Sequence, residues 1–170
     1  MFSVGDILMY TTYGICKVDE LQEKEFMGKA SSYYILVPLD ESKTKLSVPV
    51  DNPFTKARLH YLLKKEEASD IINQIPYLNT RWIDNDNLRK KEFSDLIKNG
   101  DRKETIVVLK SIKEHENSLI GKARKLHAID RQIYDDGIKL IVDEFSFLFG
   151  MKKADFYTEL TRILDKSLEQ

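Results

Sequence analysis

Leu46-Ser47-Val48-Pro49-Val50-Asp51-Asn52-Pro53 is where this chain of 170 residues changes its period. Up to Val50 the apolar residues alternate with others, as on a strand with one buried face. Beyond Pro53 they recur every three or four residues, as on one side of a helix. Pro49 has no backbone N–H, which suits an edge strand or a strand end. Upstream, Ile7-Leu8-Met9-Tyr10 and Ile15-Cys16-Lys17-Val18 flank a turn, Thr11-Thr12-Tyr13-Gly14. Tyr33-Tyr34-Ile35-Leu36-Val37 has the aromatic and β-branched make-up of a strand. Met27-Gly28-Lys29 before it and Asp40-Glu41-Ser42-Lys43 after it read as turns.

Four or five short strands in about 50 residues imply a small, strongly bent sheet or barrel. It resembles SH3-like or Tudor-like modules. Downstream, a helix is predicted from Lys65 to Ile75, with Pro76 just past its end. A second runs from about Leu88 to Lys98 and stops at Asn99-Gly100. Asp101 then caps a third, which carries Ile106, Val107, Leu109, Ile112 and Leu119. A fourth covers Asp130 to Phe149 and closes at Gly150; a last begins near Lys153. Short links argue for an antiparallel bundle. The expected fold class is α+β: a small β module over residues 1–55, then an all-α helical bundle over 56–170.

A formal net charge of −1 excludes bulk basicity as a route to nucleic acid, but not a local basic face. Through Thr55, five lysines and no arginine stand against four Asp and four Glu, a balance of −3. The remainder carries 22 cations and 20 anions, +2, and holds every arginine. Cys16 is the lone cysteine, so no intrachain disulfide forms and a reducing compartment is expected. With no charged-then-apolar leader at Met1-Phe2-Ser3-Val4-Gly5-Asp6 and no bilayer-length apolar run, a cytoplasmic protein that does not engage membranes is expected.

Catalytic patterns are missing. Both Gly-Lys pairs fail as phosphate loops, because Glu23 and Glu116 stand where the first glycine is needed. His60, His115 and His127 have no paired helical spacing and no cysteine partners, so no metal site is expected. Asp135-Asp136 and Asp143-Glu144 read as solvated helix faces rather than carboxylate dyads. Cys16 reads as a small core residue. Neither an enzyme nor a cofactor is expected.

The feature that does suggest a function is Trp82. It is the sole tryptophan, in the polar stretch Asn79-Thr80-Arg81-Trp82-Ile83-Asp84-Asn85-Asp86-Asn87, with Arg89, Lys90 and Lys91 following. An indole carries a very large apolar surface, so it either folds back onto a core or is held out for a partner. The cations beside it make nucleic acid a candidate partner.

Phe2-Ser3-Val4-Gly5-Asp6-Ile7-Leu8-Met9-Tyr10, then Tyr13-Gly14-Ile15-Cys16-Lys17-Val18, resembles the opening of the CarD/CdnL family of bacterial RNA-polymerase-binding transcription regulators. The polymerase-interacting domain of transcription-repair coupling factor shares that pattern. The likeness continues through Gly28, Tyr33-Tyr34-Ile35-Leu36, Val48-Pro49-Val50-Asp51-Asn52, Trp82, Gly100-Asp101 and Asp143-Glu144-Phe145. This resemblance implies a transcription regulator with two contacts. Its β module would bind the RNA polymerase β subunit through Lys24, Phe26, Ser47, Val48 and Pro49. Ser47 departs from the pattern, because some relatives carry an arginine there. The helical domain would bind promoter DNA with little base specificity through Arg89, Lys90, Lys91, Lys122, Arg124, Lys125 and Arg131. Trp82 would wedge into the minor groove and stabilise the open complex. A monomer located with polymerase on the nucleoid is expected. The rival readings are a polymerase-bound adaptor without DNA contact and an RNA-binding SH3-like protein, whose β module should be basic rather than acidic.

Overall fold

The computed structural model describes residues 1–26, 29–40, 44–122 and 124–169. The expected turn residues Met27, Gly28, Glu41, Ser42 and Lys43 lie outside these. The chain divides into two compact units, Met1–Leu62 and Leu63–Gln170, and the architecture is α+β as expected.

In the first unit β1 (Ile7–Tyr10), β2 (Gly14–Phe26), β3 (Lys29–Pro38), β4 (Leu46–Pro49) and β5 (Leu59–Tyr61) form one antiparallel sheet. Its order is β4-β3-β2-β1-β5, so β4 and β5 are the edges. Between β4 and β5 sits α1 (Pro53–Arg58), where Pro53 opens the helix and Asn52 Oδ1 accepts from the Phe54 N–H at 2.8 Å. Neither α1 nor β5 has a periodic signature, since six and three residues are too few to display one. Because β5 pairs with β1 (Leu8 opposite Tyr61, Tyr10 opposite Leu59), the β unit runs on past Thr55 to Leu62. β2 also extends well beyond Val18. The register shifts between Val18 and Glu20, and exposed residues such as Leu21, Glu23 and Lys24 follow. With no buried face, that segment shows no alternation to read.

Leu8, Cys16, Val18, Tyr34, Leu36, Val48, Val50 and Leu59 form the core of this unit. Each fully buried apolar side chain stabilises it by about 1.5–3 kcal/mol. Cys16 is packed there with 0% exposure, as expected of a small core residue.

The second unit contains α2 (Lys65–Gln74), a 3-10 turn (Ile75–Tyr77), α3 (Asp86–Lys98), α4 (Arg102–Ser118), α5 (Ala128–Phe149) and α6 (Lys153–Lys166). The caps follow the sequence. Asn85 accepts from the Leu88 N–H, Asp101 accepts from the Glu104 N–H, and Gly150 ends α5 in the left-handed conformation at φ 64°. α5 is the central helix, with α2, α3, α4 and α6 packed against it. At Gly137 a Cβ would come within 2.9 Å of Leu109 Cδ2 and 3.2 Å of Ile97 Cδ1, so α3 and α4 approach α5 closely there.

One expectation needs correction here. Asp143 and Glu144 are not solvated: they are 5% and 0% exposed. Glu144 accepts from Arg102 Nε at 2.6 Å and Nη2 at 2.9 Å, and its Oε1 also accepts from the Leu63 N–H at 2.8 Å. Asp143 is paired with Lys139 and Lys153. A helix surrounded by four others has little solvated face, so its acids need ionic partners.

Candidate nucleic-acid and polymerase interfaces

Trp82 follows the 3-10 turn in an irregular stretch that α4 holds from behind. Lys110, 4% exposed, donates from Nζ to the carbonyls of Ile75 (3.1 Å), Pro76 (3.3 Å) and Leu78 (2.9 Å). Burial pushes its ammonium below the usual lysine range, and these three acceptors offset that cost. Further along, Ser111 Oγ accepts from the Arg81 N–H at 2.9 Å, and the Thr80 hydroxyl donates to Glu114. Arg81 Nη2 reaches Glu104 Oε2 at 2.7 Å. The segment leading into the indole is therefore fixed through both backbone and side chains.

The indole is partly buried, neither sealed in the bundle nor swung free. It stacks on His115, with ring centroids 3.7 Å apart and planes 8° from parallel, and meets Phe93 edge-on at 6.4 Å. The guanidinium carbon of Arg89 lies 4.2 Å from its ring centre, a cation–π distance. Burial and then the Arg89 charge hold the His115 imidazole below its ordinary pKa, favouring the neutral ring.

Arg89 does not sit where a phosphate contact needs it. It is 2% exposed, with Nε and Nη2 donating to the Asp130 carboxylate at 2.9 and 2.8 Å. Nη2 also donates to Asp86 Oδ1 at 2.8 Å, and Nη1 to the Ile83 carbonyl at 2.7 Å. Asp130, itself 1% exposed, keeps the guanidinium charged against desolvation. The arginine expected at the DNA backbone thus forms part of the floor under the tryptophan.

The other expected cations are exposed. Lys90 and Lys91 lie on α3, and Lys122, Arg124 and Lys125 lie in the link between α4 and α5. Arg131 is exposed on α5 and ion-paired with Glu116. The link comes close to the tryptophan stretch: His127 Nδ1 is 3.8 Å from Asp86 Oδ2, and the Lys122 charge contributes to depressing His115. Arg124, Lys125 and Arg131 line one open groove with Leu119 and Ile120. The link cations thus lie beside the stretch that carries Trp82, while Lys90 and Lys91 occupy adjacent, diverging positions on α3.

On the β unit, Lys24 and Ser47 meet across the sheet. Lys24 Nζ donates to Ser47 Oγ at 3.0 Å and lies 5.3 Å from the Tyr33 ring centre. Pro49 is partly exposed on the same edge strand. Val48 is not available: it points inward, 5% exposed, into the apolar core, as alternation along β4 requires. Phe26 ends β2, and its side chain lies outside the described residues.

Sequence reasoning missed His115, Lys110 and Asp130, which support the indole. Glu104, Ser111 and His115 recur at helical spacing on α4, and that polar stripe is the signal that a face of α4 holds something polar. The partner of Asp130 comes from α3 and those of Lys110 from the 3-10 turn and the residue after it, so neither leaves a local mark.

These two sites, an edge with a tethered lysine and a stacked indole beside basic side chains, sit on a chain with recognisable relatives. Residues 2–55 match the CarD-like/TRCF RID domain. That segment, most of the β unit, is therefore similar to CarD-like domains. A Bacillus subtilis (strain 168) protein named "Putative transcription factor YdeB" is similar to it, 19% identical over 161 residues, which cover 89% of this chain and 94% of that protein. The names of the matched domain and of this relative both belong to transcription.

Proposed function

We propose that this protein regulates transcription by binding RNA polymerase through its β unit and promoter DNA through its helical unit. The domain match supports the first half, since a TRCF RID-like domain is a polymerase-interacting domain. Lys24, Ser47 and Pro49 form the polymerase edge in this reading, with the β subunit as the docking partner. The second half rests on one observation: a partly exposed indole, stacked on His115 and Arg89, beside an exposed basic link. Unstacking a base step costs a few kcal/mol, and an inserted ring offsets part of that. A protein attached to polymerase that prefers unstacked DNA shifts the promoter towards its open form by that difference in affinity. Tethering two weak contacts raises the effective concentration of the second, so a monomer suffices and free DNA affinity is modest. The site of action is then the nucleoid.

The test is the lifetime of open promoter complexes with and without Trp82→Ala. The proposal requires a shorter lifetime in the variant; an unchanged one overturns the wedge. The adaptor reading is favoured by the exposed apolar side chains Phe147, Met151 and Tyr157. It predicts that same unchanged lifetime, together with full retention on polymerase.

A further inference from the structure

Ile120 is 77% exposed. Scattered exposed apolar side chains are ordinary, but this one is held in place by a tight turn. The N–H groups of Leu119, Ile120 and Lys122 donate to the carbonyls of Glu116, Asn117 and Leu119 at 3.0, 3.1 and 3.0 Å. Gly121 takes φ +78°, a left-handed conformation in which a side chain would be strained. Around Ile120 lie exposed Lys122, Arg124 and Lys125, and an open groove of about 490 Å³ runs between Ile120 and Arg131. Glu116, the acid in its lining, is already paired with Arg131.

We propose that Ile120 is a second apolar contact to nucleic acid, seated in the minor groove near Trp82, while Lys122, Arg124 and Lys125 hold the flanking phosphates. The inference rests on the DNA-binding reading of the helical unit and adds a residue to it. Aliphatic side chains wedge between base steps as aromatic ones do. The turn continues directly from α4, whose last turn carries the histidine stacked on Trp82. Charge selects a polyanion as the occupant. A lipid surface would require a broad apolar face, whereas Leu119 and Leu126 beside Ile120 are only partly exposed.

The experiment titrates the full-length protein and its variants against a duplex carrying a short melted segment, at several salt concentrations. Ile120→Ala is expected to weaken binding roughly five-fold, as for losing the burial of about one methylene group from a side chain only partly desolvated in the groove. Its salt slope should stay unchanged, because no phosphate contact is lost. Lys125→Ala should instead lower the slope by about one. Wild-type affinity in Ile120→Ala, with Trp82→Ala still weakened, overturns this inference and leaves the DNA reading standing. If neither substitution changes affinity, the DNA reading falls and this inference falls with it. Phosphatidylserine vesicle binding that depends on Ile120, with DNA affinity unaltered, also overturns it.

Discussion

The two units bury different chemistry. The β unit is closed by an apolar cluster running from Leu8 to Leu59, and its ion pairs Lys45–Asp19 and Lys56–Asp51 lie in solvent. The helical unit buries whole ionic groups: Arg89 on Asp130, Arg102 on Glu144, and Lys110 on three carbonyls. Among the described residues, no fully buried side-chain nitrogen or oxygen lacks a hydrogen-bond partner. An apolar core tolerates small shifts, because hydrophobic burial has no direction. A buried ion pair tolerates few, because an unpaired buried charge is costly. Two of these directional contacts, at Arg89 and Lys110, support the tryptophan and the segment leading into it, where a set geometry is needed.

The largest effect that would break this contrast is at Asp130. Asp130→Ala removes the buried carboxylate and leaves the Arg89 guanidinium only the exposed Asp86 and the Ile83 carbonyl. It should cost about 3 kcal/mol of unfolding free energy in urea, with a change in Trp82 emission. Stability within about 1 kcal/mol of wild type would mean that the pair has no such role. Next comes the β unit, where Val48→Ala removes two methyl-sized groups from the core and should cost about 1.5 kcal/mol. That variant should leave Trp82 emission unchanged.

Smaller is the pH response of His115. Its folded pKa is depressed, so the unfolded chain binds more protons as acidity rises. The associated stability is present above the unfolded value of about 6.5 and is lost as pH falls below it towards the folded pKa. Thermal midpoints measured from pH 8 down to pH 5 should show this fall in wild type and a shallower one in His115→Phe. Equal slopes would remove His115 from the account. Smallest is Lys45→Ala, which breaks a solvated pair and should leave the urea midpoint where it was.

The sheet and the helical stripes were legible because burial on one face imprints a period. Val48 against Ser47, and Phe156, Leu160 and Leu164 at four-residue spacing on α6, show it directly. α1 and β5 were too short to carry a period, and the outer part of β2 buries no face that would make one. Asp143-Glu144 misled for another reason: local reading sees two adjacent acids, while the arginine that neutralises Glu144 lies 42 residues away. The candidate site divides in the same way. Trp82 was conspicuous because an indole in a polar loop needs an explanation. Arg89 looked like a surface cation because its carboxylate partner comes from α5, 41 residues on.

The clasp at Lys110 has one more consequence. An ammonium whose three N–H bonds point at carbonyls has no lone pair to offer an acylating reagent, and its low exposure keeps the reagent away. In native protein Lys110 should therefore escape acetic anhydride labelling while Lys122 and Lys125 are modified. Its modification rate, followed by mass spectrometry, then becomes a residue-level clock for how often the segment carrying the indole comes loose.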